Sequence, residues 1–166
     1  MSLHPILRKC WMKRGQRKLI PAPGQQQWEH LFGAYNWRTD HVSWQFASKK
    51  NSASFMAFVE YLMTVCYPTQ KVIVVTDNAS YHKSKASLAA LSLFEERLTV
   101  IWLPPYNPFL NPIERFWRHL KDLACANKLF PDLKALTDSV RSALIQQNEY
   151  GNPDRFAFLK YFQVTA

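Results

Sequence analysis

Two carboxylates stand where phosphate chemistry needs them. Asp77 lies in the segment KVIVVTDNASYH, Lys71 to His82, and Glu114 in LPPYNPFLNPIERFWRHLK, Leu103 to Lys121, with 36 residues between the two acids. Carboxylates brought to one place bind hard divalent cations through oxygen, and magnesium keeps several waters, so a few ligands suffice. A pair of such ions about 3.5–4 Å apart activates an attacking hydroxyl and stabilises the leaving oxygen in a displacement at phosphorus. Without a cation the like charges would raise one another's pKa. Each acid also has a purely structural reading. Asp77-Asn78 is turn chemistry, and Asn111-x-x-Glu114 is a capping box in which Glu114 satisfies backbone donors.

The flanking elements favour convergence. Val72 to Val75 is a continuous β-branched run, which predicts a strand buried on both faces and ending at Asp77-Asn78. The C-terminal edge of such a strand is where open α/β sheets bind ligands. Leu98 to Leu103 predicts the next strand, followed by a loop with Pro104, Pro105 and Pro108. Asn111 is the expected N-cap of a helix with Pro112 at its first position. Ile113, Phe116, Trp117 and Leu120, with Leu123 or Ala124, then give one apolar stripe, with Glu114 off it on the first turn. A strand-end Asp and a helix-start Glu are thereby set to face each other across a loop.

In the rest of the chain, RKCWMKRGQRK (residues 8 to 18) carries Lys13, Arg14, Arg17 and Lys18 beside Trp11, a pattern suited to phosphate contact and base stacking or simply to a solvated loop. His30 to Trp37 and His41 to Ala47 predict a β-hairpin with Asp40 as a turn residue. Ser52 or Ser54 is expected to cap a helix reaching about Tyr67, with Phe55, Phe58, Val59, Leu62, Met63 and Cys66 inward. Lys83 to about Leu93 predicts a further helix. Asn78 and His82 are candidates to support Asp77, His82 equally as a hydrogen-bonded structural histidine. Arg115, Arg118, His119 and Lys121 make the Glu114 helix basic on its polar side, and the first, second and fourth of these are candidate DNA contacts. Pro131 is expected to start the last helix, and the aromatic tail Pro153 to Phe162 to dock on the domain.

Composition limits the partners. The chain has 166 residues, 48% hydrophobic, with 21 Lys and Arg against 12 Asp and Glu, a formal net charge of +9. One domain with a substantial core and a polyanionic partner is expected. Nucleic acid comes first, an anionic membrane surface second. No apolar run approaches the roughly 18 residues of a membrane span. The three cysteines, Cys10, Cys66 and Cys125, form no CxxC pair, which argues against a disulfide framework and fits a reducing cytoplasm.

TDNASYH followed by LPPYNPFLNPIERFW resembles the catalytic core of DDE transposases, in particular the bacterial insertion-sequence transposases related to mariner elements. Leu3 to Trp37 is similar to theirs as well. The resemblance implies a ribonuclease H-like fold, a mixed sheet flanked by helices. It implies three carboxylates holding two Mg2+ or Mn2+ ions, with Asp77 second and Glu114 third. The first belongs on the opening, central strand just ahead of a segment like Leu3-His4-Pro5, so residues 1–166 are expected to lack that strand and its Asp. They are likewise expected to lack the helix-turn-helix module that related transposases use to find their ends. The resemblance further implies DNA as partner (transposon ends and target), a homodimer or a partner transposase chain, and a cytoplasmic, nucleoid-associated setting. The function expected is DNA strand cleavage and transfer, with the isolated chain inactive. The alternatives are a non-catalytic DNA-binding or dimerising remnant that modulates a full-length transposase, and a metal nuclease that recruits another carboxylate.

Overall fold

The hydrophobic periods of the sequence become four strands and four helices, in the order hairpin, helix, strand, helix, strand, helix, helix. The computed structural model describes residues 6–16, 19–20, 27–105 and 111–150. β1 (His30–Asn36) and β2 (His41–Ala47) form an antiparallel hairpin, with His30 opposite Ala47 and Asn36 opposite His41. Asp40 closes it in the left-handed region at φ 62°, and its buried carboxylate accepts the Tyr35 hydroxyl at 2.5 Å. That is the turn role its position predicts.

α1 (Ser52–Tyr61) continues into a single π-helical turn, Leu62–Cys66. Its cap is Asn51, whose side chain accepts the Ser54 N–H at 3.0 Å, in place of the expected Ser52 or Ser54. Ser52 is turned instead toward the carbonyl of Tyr81. The Arg97 guanidinium donates to the carbonyls of Met63, Tyr67 and Pro68, satisfying groups that a helix end leaves unpaired.

β3 (Val72–Thr76), α2 (Lys85–Ser92) and β4 (Leu98–Trp102) form a parallel crossover unit, with Val72 opposite Leu98 and Thr76 opposite Trp102. The described strands make two two-stranded sheets, the hairpin and β3 with β4. One expectation is corrected, since β3 is covered on one face only. Val72 and Val74 pack with Val100 into the cluster led by Phe55, Phe58, Val59, Leu62 and Met63, whereas Ile73 is 67% and Val75 44% exposed. A continuous apolar run marks a strand able to be buried on both faces. Which face is filled depends on elements distant in sequence.

α3 (Pro112–Cys125) and α4 (Leu133–Tyr150) pack on the hairpin face opposite α1. Alternation along β1 explains this, since Phe32 and Ala34 join the α1 cluster while Leu31 and Tyr35 join that of α3 and α4. Phe116, Leu120 and Ala124 are the buried stripe of α3, and Leu123 is turned out. Gly33 permits the approach of α3, since a Cβ there would lie 2.5 Å from Cη2 of Trp117. The Asp132 side chain accepts the Ala135 N–H at 2.7 Å at the start of α4, two residues later than the expected start at Pro131. The Asn148 amide near the end of α4 pairs with both backbone groups of Val42, at 2.8 and 3.0 Å, which occupies part of the outer edge of β2. No helix among the described residues is long and apolar enough to cross a membrane.

Candidate active site

Asp77 follows the last residue of β3 and Glu114 lies on the first turn of α3. Hydrogen bonds steer the loops that carry them. Asn78 donates its side-chain amide to the Leu103 carbonyl, and the Leu103 N–H donates to Thr76 at 2.9 Å. The end of β3 is therefore tied to the loop leading toward α3. Asn111 caps α3, accepting the Ile113 N–H at 3.4 Å, with Pro112 at the helix start.

One oxygen of Asp77, Oδ1, is held at 2.8 Å from Nδ1 of His82 and accepts the Ala79 N–H at 3.1 Å. The second bond is the local turn that Asp77-Asn78 predicts. Oδ2 has no hydrogen-bond partner among the described residues, and the side chain is 56% exposed. Glu114 is exposed, and its carboxylate has no hydrogen-bond or ionic partner among the described residues. The return bond of a capping box is absent, so Asn111 caps the helix without help from Glu114.

His82 is buried, wedged against the rings of Phe55 and Tyr81 at 4.4 and 4.2 Å, with the Thr76 hydroxyl 3.3 Å from Nδ1. Burial lowers its pKa, against the attraction of Asp77. Neutral His82 with its proton on Nδ1 donates to the carboxylate, which fixes tautomer and rotamer together.

Tyr81 was not singled out by the sequence, and its phenol is raised by both acids. Burial, then the charge of Asp77, then that of Glu114 push its phenol up to about 12 from 10.0. Its ring also packs edge-on to Phe32 of β1 at 6.2 Å and Phe55 of α1 at 6.3 Å, linking the two sheets. The only sequence signal was an aromatic residue inside the Asp77 loop. Tyr81 is expected to stay protonated when ordinary tyrosines ionise, so Tyr81→Phe should remove a late component from an ultraviolet phenolate titration. Asp77→Asn and Glu114→Gln should each move that component to lower pH. Between pH 10 and about 12 the unfolded chain has lost this proton and the folded chain keeps it, so stability falls as pH rises through that window. If neither substitution moves the component, the two acids do not share the Tyr81 environment.

The donor set suits a hard divalent ion, since Oδ2 of Asp77 and the Glu114 carboxylate are unengaged oxygens. Among the described residues no group of three or more His, Cys, Asp or Glu gathers around one point.

The predicted DNA contacts divide into two groups. Glu114, Arg118 and Lys121 share an exposed stripe of α3, while Arg115 is half-buried. Lys13 and Arg14 are exposed in a segment anchored at the other end of that helix, where Ile6 bridges Ala126 and Arg8 pairs with Asp122 at 2.6 Å. Asp122 is eight residues beyond Glu114, roughly 12 Å along the axis. Arg17, Lys18, Pro108, Leu3-His4-Pro5 and the tail Pro153 to Phe162 lie outside the described residues.

The chain is similar to several known proteins. The chain is 30% identical over 141 residues, 85% of its length, to the "Insertion element IS630 uncharacterized 39 kDa protein" of Shigella sonnei. It is 28% identical over 60 residues to the "Uncharacterized protein y4pE/y4sA" of Sinorhizobium fredii. The matches span 41% of each relative, less than half their length. In fold it is similar to the Mos1 strand transfer complex chain, with TM-score 0.65 and 18% identity over 95% of this chain and 47% of that one. It is also similar to the chain of the Mos1 mariner paired end complex with Mn, with TM-score 0.56 and 15% identity over 93% of this chain and 52% of that one. The sequence model described as DDE superfamily endonuclease matches residues 1–137, the span that holds both Asp77 and Glu114, and the chain belongs to that family.

Proposed function

We propose that this chain is part of the catalytic domain of a transposase, cutting DNA and transferring strands with Asp77 and Glu114 as two of its three metal-holding carboxylates. What supports the reading is that Asp77 follows β3 and Glu114 opens α3, with the end of β3 tied by Asn78 to the loop that leads toward α3, in a chain of the DDE superfamily endonuclease family. A bound Mg2+ or Mn2+ pair supplies Lewis-acid polarisation of the phosphodiester and a more acidic attacking hydroxyl. The side chains prepare for it. His82 holds one oxygen of Asp77 and leaves the other for a ligand, Asn78 fixes the loop that leads to α3, and Arg118 and Lys121 continue from Glu114 as a basic track for a DNA backbone. The ribonuclease H-like form of the fold belongs to the proposal, with the edges of β1 and β3 that are unpaired among the described residues taking up a strand that brings the remaining carboxylate. So do the transposon ends and target DNA, a second transposase chain as partner, and the nucleoid setting.

One observation favours a second reading, a non-catalytic DNA-binding remnant: the described residues gather no third metal-ligating side chain. Manganese titration followed by paramagnetic broadening tests the catalytic reading. Signals around Asp77, Glu114 and Tyr81 are expected to broaden first, with an affinity of about millimolar order for a two-carboxylate site. Asp77→Ala and Glu114→Ala should each abolish the effect. Broadening that survives both substitutions would reject the assignment.

A further inference from the structure

We infer that Lys50 and Lys83 form a seat for a DNA phosphodiester beside Asp77, an inference that rests on the transposase reading above. Neither residue lies in the basic runs of residues 8–18 or of α3. The fold brings them to the carboxylate edge from different places. Lys50 precedes Asn51, the cap of α1, and Lys83 precedes Ser84, the cap of α2. The starts of these two helices meet at one carbonyl. Tyr81 O accepts the Ser52 hydroxyl at 3.3 Å and the Ser87 hydroxyl at 2.6 Å.

Each ammonium group rests on an aromatic ring of the site. Nζ of Lys50 is 5.4 Å from the centroid of Tyr81, whose ring packs against that of His82, the residue that holds Asp77. Nζ of Lys83 is 4.8 Å from the centroid of Trp102, the partner across the sheet of Thr76, which precedes Asp77. Both lysines are exposed, and neither has a carboxylate within 4.0 Å among the described residues. Resting on a ring restricts a long side chain and leaves its N–H donors for an outside acceptor.

The chemistry points to phosphate. Two acids at the site repel a phosphodiester until cations offset them, and exposed lysines act on phosphate as point charges. The nearer acid does not neutralise them, because Asp77 is turned to His82. A backbone lying across the Tyr81 and Trp102 rings would then meet both ammonium groups.

Fluorescence anisotropy with a short DNA duplex, repeated over a salt series without divalent metal, tests the seat. Against wild type, Lys50→Gln with Lys83→Gln should make the slope of log K against log salt shallower by about 1.8, about 0.9 for each phosphate no longer neutralised. Lys50→Arg with Lys83→Arg should keep the wild-type slope. Lys134→Gln, at a lysine already paired with Asp138 on α4, should also leave it unchanged. Wild-type binding with the same slope in the double Gln variant would overturn the seat and leave the transposase reading standing. No duplex binding by the wild-type chain at low salt would overturn both.

Discussion

Extending the chain at its N-terminus with an apolar strand that ends in Asp is expected to raise thermal stability and switch on magnesium-dependent DNA nicking together. The reason lies in the sheets. β1 pairs only with β2 and β3 only with β4 among the described residues, so each keeps one row of unpaired backbone groups. Such edges bind a further strand or self-associate. A strand placed between them would pair both rows, and every kcal/mol gained appears as roughly 2–4 °C in Tm for a domain of this size. Its terminal Asp would supply the first of the three carboxylates in the proposed site. The same extension ending in Asn should give the thermal gain with nicking lower by on the order of 10³-fold or more, since one preorganised electrostatic contact already contributes about 10²–10³. Nicking by the unextended chain, lost in Asp77→Ala, would show that another residue completes the site.

Phe116→Ala is expected to have the largest effect on stability of any substitution near Glu114. Phe116 is 1% exposed and its ring stacks on Tyr35 at 5.7 Å with an interplanar angle of 11°. It is two residues from Glu114 and fastens the first half of α3 to the hairpin. Removing a buried Phe costs about 3–5 kcal/mol, which lowers Tm by about 6–20 °C. Leu144→Ala in α4 opens the same core, at a cost of about 2–5 kcal/mol, but far along the chain from either acid. Both variants should melt early. Only Phe116→Ala should weaken manganese broadening at a temperature where both remain folded. Equal broadening in the two would mean that Glu114 is positioned by its loop and cap alone, not by the packing of α3.

The sequence by itself determined the local pieces. The β-branched run Val72 to Val75 specified a strand, and Asp77-Asn78 its end, because strand propensity and turn chemistry act over a few residues. Asn111, Pro112 and the spacing of Phe116 and Leu120 specified α3 and put Glu114 outside its stripe. Only the tertiary structure decided the rest, because it depends on groups far apart in the chain. Burial chose Ala124 over Leu123 and left Ile73 and Val75 bare, since α1 and its cluster lie on the other face of β3. Asn51 displaced the two serines as the cap of α1 because Ser52 is engaged by Tyr81 O, 29 residues away. Tyr81 and the two lysines could not be found from spacing, for the ring acquires its contacts only where β1, α1 and the loop after β3 come together. Which face of β3 is covered was equally invisible in the strand pattern, since a continuous apolar run does not record which neighbour packs on it.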